Sequence, residues 1–199
     1  FAPIFVPLFD SQGVPAQTVV APGTWGYDAQ FKTENSDFDP ARAKALLDLY
    51  GYVDRDGDGW RETPDGRPLA LEYATQPDDL SRQFDELWKK NMDAIGLRLK
   101  IVKGQWPEQL KMARAGQLMI WQLGYSAADP DLQTALQNLY GPAAGGQNLA
   151  RFRHARFDEL YRQMQALPDG PPRQAALREA LKIVAAYAPH RYNVHRIVT

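Results

Sequence analysis

Apolar positions along this chain follow two periods, and the switches between them mark out its elements. The strongest helical stripe is Leu80, Phe84, Leu87, Trp88, Met92 and Ile95, spaced three to four apart and closed by Gly96. Asp78 or Asp79 is placed to cap its start. Residues 68–75 before it alternate as a strand, with Leu69, Leu71 and Tyr73 in phase, and 97–103 after it do the same through Leu97, Leu99 and Ile101. Pro107 opens a shorter helix that Gly116 ends, and the apolar run at 118–124 predicts a strand of the buried type. Strand, helix, strand, helix, strand is the order of βαβ units with right-handed crossovers.

Upstream, Asp39-Pro40 starts a helix whose apolar side is Leu46, Leu47 and Tyr50 and whose stop is Gly51. Residues 1–38 show no sustained period, only scattered proline and glycine, and read as an irregular segment wrapping the domain. Downstream, a run near 131–140 and stripes over 155–167 and 172–188 predict helices. Pro189 ends the last, and 191–198 reads as a final strand that joins those at 68–75, 97–103 and 118–124 in one sheet. The expectation is one α/β domain, with no repeat and no linker.

Composition narrows the function more than the fold. The 199 residues carry 23 basic and 24 acidic side chains, a net charge of −1 without a like-charged block, so nothing marks a nucleic-acid footprint. No apolar run approaches the ~20 residues of a membrane span. With no cysteine there is neither a disulfide nor a thiolate site, which suits cytosol and periplasm alike.

Several clusters offer chemistry. Asp54-Arg55-Asp56-Gly57-Asp58-Gly59 matches the opening of a calcium loop. From Asp54 as the first position, Asp56 and Asp58 follow at alternate places, Trp60 offers its carbonyl at the seventh, Glu62 stands at the ninth and Asp65 at the twelfth. Asp65 is shorter than the bidentate Glu usual there, and a proline-flanked strand replaces the exit helix. Two readings stand: a calcium site, or a turn whose Asp side chains bond their own backbone. Trp106 and Tyr125 lie at element ends, where open α/β sheets bind ligands, and read equally as pocket or core, while Trp121 reads as core. His154, His190 and His195 lack metal-ligand spacing and read as structural. No nucleophile elbow, P-loop or dinucleotide fingerprint occurs. Asp129 and Asp131 could serve acid–base chemistry or simply start a helix, and the glycines of 141–146 suggest a lid-type loop.

The stretch 106–161 carries a further signal in the order of its pieces: Trp106-Pro107-Glu108, the strand 118–124, Asp129-Pro130-Asp131, Leu139-Tyr140-Gly141-Pro142, Gln147-Asn148, Ala150-Arg151-Phe152 and Phe157-Asp158-Glu159-Leu160-Tyr161. Together these resemble the second lobe of the family 5 extracellular solute-binding proteins, the peptide- and nickel-type substrate-binding subunits of ABC importers. The resemblance implies an α/β lobe of the periplasmic-binding-protein type II kind, with a mixed sheet flanked by helices. It also implies solute capture without catalysis, no required cofactor, and three partners: a peptide-like small solute, a first lobe of the same protein, and a membrane permease. The location implied is periplasmic or extracellular, with a lipid anchor as an option for the full-length protein. Positions matching the family's cleft lining are Trp106, Arg114, Gln122, Tyr125 and Ala128. Peptide-binding members have an acid where Ala128 stands; here the acid is Asp129, one place on, and some members have arginine where this chain has Gln122. Both departures argue against a plain peptide ligand, and Ala128, by removing the amine partner, points to one that does not depend on a free amino terminus at that position. The competing classes are a small metal- or carboxylate-dependent enzyme domain and a calcium-dependent interaction module.

Overall fold

The strand–helix–strand order predicted from residue 68 onward is the order in which the chain folds. A computed structural model of the chain describes residues 13–33, 37–124 and 131–196. They pack as two compact units, one spanning 38–123 and the other built from the stretches on either side of it.

In the central unit, strand β2 (Ala70–Thr75) is followed by α2 (Asp79–Asp93), β3 (Arg98–Lys103), α3 (Trp106–Ala115) and β4 (Ile120–Trp121). The three strands form a parallel sheet in the order β3-β2-β4, with Tyr73 opposite both Ile101 and Ile120. Asp78 caps α2 by accepting the Ser81 N–H at 2.8 Å, and Gly116, at φ 74°, ends α3 in a left-handed conformation that a side chain would strain. Tyr73, Ala74, Phe84, Leu97, Leu99 and Ala113 are the buried apolar residues of this unit. Ahead of the sheet, α1 (Pro40–Leu49) is capped by Asp39 at 2.9 Å. Its expected apolar side stays open: α1 has no buried residue, and Leu46 and Tyr50 are exposed.

In the flanking unit, α5 (Ala155–Ala166) packs on α6 (Pro171–Tyr187). Phe157, Leu160, Tyr161, Met164, Leu177, Ala180, Leu181 and Val184 form the core between them, joined by Val20, Leu132, Leu136, Leu139 and Phe152. The short helix α4 (Gln133–Gln137) and a single 3-10 turn (Gly141–Ala143) lead into it.

Four expectations are corrected. The last strand, β5 (Val194–Arg196), is absent from the parallel sheet and pairs antiparallel with β1 (Gly13–Pro15). It leaves α6, whose apolar face belongs to the helical core, and its backbone finds a partner inside the same unit. The stretch 13–15, read as irregular, is therefore a strand. The run at 118–124 is only two residues of ladder and is not buried: Met119, Ile120 and Leu123 are exposed. Its hydrophobicity marks a sheet edge. The loop after Leu139 is no lid. Asn148, fully buried, donates its side-chain amide to the carbonyls of Tyr140 and Phe152, and Asp158 accepts the Gly141 N–H at 2.8 Å. A Cβ at Gly141 would come within 2.6 Å of the Asp158 carboxylate, so a side chain there would have to push Asp158 off this bond.

Candidate functional site

Parallel strands in an open α/β sheet deliver ligands to their carboxyl ends. Here those ends are Thr75, Lys103 and Trp121, and the loop after β3 turns directly into α3 at Trp106. The Trp106 ring lies 5.0 Å from that of Trp121, tilted 34°, and remains 40% exposed. Such a pair gains about 0.5–1.5 kcal/mol beyond its burial and holds one aromatic face toward solvent.

One side chain ties these ends together. Gln109, on the inner side of α3, donates Nε2–H to the Thr75 carbonyl at 2.6 Å and, more weakly, to that of Val102 at 3.5 Å. Its Oε1 accepts the Trp121 indole N–H at 3.0 Å. Trp121, expected in the core, is half-buried and is held as the inner leaf of the aromatic pair.

The predicted ligand residues separate. Trp106 is at the strand ends. Arg114, exposed, is eight positions further along α3, about 12 Å down its axis at 1.5 Å per residue. Gln122 points to the opposite face from Trp121, as strand alternation requires: its Oε1 accepts the Tyr73 hydroxyl at 2.5 Å and the Trp88 indole N–H at 3.3 Å. It therefore fastens α2 to the sheet. Tyr125, Ala128 and Asp129 lie outside the described residues. Asp131 is taken up by structure, because its two carboxylate oxygens accept Arg173 Nη2–H at 2.7 and 3.0 Å.

Sequence reading passed over Gln109, and the available signal was a polar residue in helical phase with the buried Ala113. It also passed over Asp85 on α2. That carboxyl is buried, neither oxygen has a hydrogen bond of good geometry, and Lys103 Nζ stands 3.9 Å away. Burial raises its pKa, while the neighbouring Thr75 hydroxyl and Lys103 act the other way. A groove of about 490 Å³ runs beside it between α2 and β3.

At the Asp54 turn, Asp54, Asp56, Asp58 and Glu62 bring one oxygen each within 4.8 Å of one another. Much of their acceptor capacity is already used. Asp54 accepts from the Gly57 and Gly59 backbones at 2.7 and 2.9 Å, Asp58 from Trp60 at 2.8 Å, and buried Glu62 from Arg55 at 2.7 Å. Arg98 also pairs with Asp58 at 3.2 Å and lies over the Trp60 ring. Asp65 is outside the cluster, bonded to Thr63 and Arg67. The histidines are apart: His154 caps α5 through Phe157 N–H at 3.2 Å, His190 lies 3.4 Å from the Tyr192 hydroxyl, and His195 sits in β5.

Comparison with known proteins matches this arrangement to a family. A family model described as bacterial extracellular solute-binding proteins, family 5 middle, covers residues 5–147. The chain is 26% identical to di/tripeptide-binding protein 1 of Pseudomonas aeruginosa over 96% of its own length and 34% of that protein. It is also 26% identical to heme-binding protein A of Haemophilus influenzae, over 92% of this chain and 32% of that one. In fold it superposes on the oligopeptide-binding protein of Bacillus subtilis, solved in complex with a nonapeptide, with a TM-score of 0.85 at 17% identity, covering 98% of this chain and 39% of that one. The chain thus spans about a third of the length of the curated relatives it matches.

Proposed function

We propose, from the premise that this chain belongs to the bacterial extracellular solute-binding proteins of family 5, that it supplies part of the wall of a solute cleft in the binding protein of an ABC importer. The observation that carries the reading is the exposed Trp106 face, stacked on Trp121 at the carboxyl ends of three parallel strands. The solute proposed is a short peptide or a similar small amphipathic molecule, in line with relatives named for di/tripeptide and heme binding. The chain contributes the second of two lobes, the rest of the full-length protein forms the first, and the closed pair docks on a membrane permease. Closure over the ligand supplies most of the differential affinity in hinged binders, and a cleft normally covers some 70–90% of its ligand. The action is capture without a chemical step, outside the cytoplasmic membrane, with attachment by a lipid anchor a further part of the proposal. Among the described residues no helix is long and apolar enough to cross a membrane.

Tyr125, Ala128 and Asp129 remain proposed ligand contacts, with Ala128 removing the amine partner that an acid would supply there. Arg114 and Gln122, by their placement, support the wall instead of touching solute. The Asp54 cluster is proposed as a weak calcium site of Asp54, Asp56, Asp58, Glu62 and the Trp60 carbonyl, on the strength of the four converging oxygens.

Calorimetry on the full-length protein with short peptides, free and amino-acetylated, tests the reading. The expected result is binding that tolerates acetylation and weakens about tenfold or more in Trp106→Ala. Binding that demands the free amine and is lost in Asp129→Asn overturns the ligand assignment. Unchanged affinity in Trp106→Ala removes the tryptophan pair from the cleft.

A further inference from the structure

We propose that Gln109 is the positioning residue of the Trp106–Trp121 platform, and that the platform selects solutes by one apolar group, flat or branched, laid on the open face of Trp106. This rests on the solute-binding function proposed above and adds to it a determinant of specificity.

The geometry supports it in three ways. First, Gln109 is 3% exposed, so its amide must be satisfied by protein, and both halves are: the donor side on Thr75 and Val102, the acceptor side on Trp121. One planar amide thereby touches the ends of all three strands. Secondly, space has been kept for it. A Cβ at Gly104 would stand 3.2 Å from both Cγ and Nε2 of Gln109, tighter than ordinary packing. Gly104 also donates its own N–H to the same Thr75 carbonyl at 3.0 Å. Thirdly, the amide fixes the only polar atom of the Trp121 ring. An indole held at its N–H by a buried acceptor cannot turn about its side-chain bonds without breaking that bond, so the Trp106 ring stacked on it has a fixed support.

The ligand chemistry follows from what the platform lacks. Gln109, Trp121 and Trp106 are neutral, and among the described residues no carboxylate takes part in the Gln109 hydrogen bonds. A ring face of this kind gains from covering apolar area, at roughly 25 cal/mol per Å² removed from water.

Removing the amide should leave the fold standing, because Thr75 keeps the Gly104 donor. The variants are Gln109→Met, which matches the shape without either bond, and Gln109→Glu, whose protonated carboxyl can accept from Trp121 and donate to Thr75. Both are made in the full-length protein. Two ligand-independent signals report position: the indole N–H resonance of Trp121, and the near-ultraviolet circular dichroism of the stacked rings, identified by its loss in Trp106→Phe. Gln109→Met should shift the first and diminish the second with the melting transition retained. Gln109→Glu should recover both as the pH is lowered. In calorimetry with Ala-Phe, Ala-Ala and Ala-Lys as probes, Gln109→Met should weaken Ala-Phe about tenfold and Ala-Ala less than about twofold. Unaltered Trp signals in Gln109→Met would overturn the positioning role. Equal weakening of Ala-Phe and Ala-Ala, or a wild-type preference for Ala-Lys, would overturn the selectivity. A wild-type protein that binds none of the three counts against the peptide-like solute proposed above, and the Trp signals still decide the role of Gln109.

Discussion

Replacing Arg173 by methionine is a severe single change in the flanking unit that leaves its apolar core closed. The guanidinium side chain is only 6% exposed, yet it serves four groups. It gives two hydrogen bonds to Asp131, one to Asp169 at 2.5 Å and one to the Met164 carbonyl at 3.0 Å, and it lies 4.3 Å from the centre of the Trp25 ring. These are not equal. Asp169 is 67% exposed and regains water, so its share is near zero to about 1 kcal/mol. Asp131, at 40%, is rehydrated in part and contributes about 1 kcal/mol. The Met164 carbonyl loses a buried donor at about 1–3 kcal/mol, and the ring contact about 0.5–2 kcal/mol. Methionine refills most of the volume of the aliphatic stem, so little is added for a cavity. The expected loss is about 3–7 kcal/mol, with Arg173→Lys near half of that because an ammonium cannot reproduce the fork. Urea denaturation of the full chain, followed by far-ultraviolet circular dichroism, measures it. A loss below about 1 kcal/mol for Arg173→Met, or a lysine variant equal to wild type, would refute the reasoning.

Three further outcomes are expected. Asp85→Asn should stabilise the chain near neutral pH. The folded carboxyl titrates above its ordinary value, so native stability is greatest below that value and is lost as pH rises through the folded one; the gain of the variant should therefore grow upward from about pH 4, and a gain independent of pH would contradict it. Burial lowers the pKa of His190, so its contribution is intact above the ordinary histidine value of about 6.5 and is lost as pH falls; His190→Phe should flatten that acid limb in a pH series of thermal melts, and an unchanged limb would reject the assignment. Calcium at millimolar concentration should raise the melting temperature slightly in the wild type, less in Asp56→Ala, and more in Arg98→Leu, which removes the cation already paired with Asp58; identical responses in all three would leave only the turn.

What the sequence disclosed and what it hid divide along physical lines. The βαβ core was legible because β2, α2 and β3 each bury one face, and burial of one face imposes a period: Leu97 and Leu99 alternate, and Phe84 lies on the stripe that includes Leu80 and Trp88. Caps were legible for the same local reason, as Asp39 and Asp78 show. The pairing of β5 was not, since a three-residue strand has too few side chains to specify a partner, and its choice of β1 depends on chain 180 residues away. Hydrophobicity alone misled at 118–124, where an apolar run marks an edge that the described residues leave exposed.

The same distinction explains why the candidate site was half visible. Residues suited to touching a ligand are exposed aromatic or charged groups at element ends, and Trp106, the proposed contact, announces itself by type and place. Residues that orient them are buried, polar and recognisable only through their partners. Gln109 could have been any exposed glutamine of a helix until Thr75, Val102 and Trp121 are brought to it from sequence distances of 34, 7 and 12 residues. Asp158 and Asn148 belong to this second class too. They sit in the motif pieces through which the chain resembles its family, yet their hydrogen bonds go to Gly141, Tyr140 and Phe152. Those pieces fasten a loop in this chain, so a resemblance built on them identifies the scaffold far better than the solute. Under the proposed function, ligand identity is written instead at the strand ends, where the described residues place a neutral, amide-braced tryptophan pair.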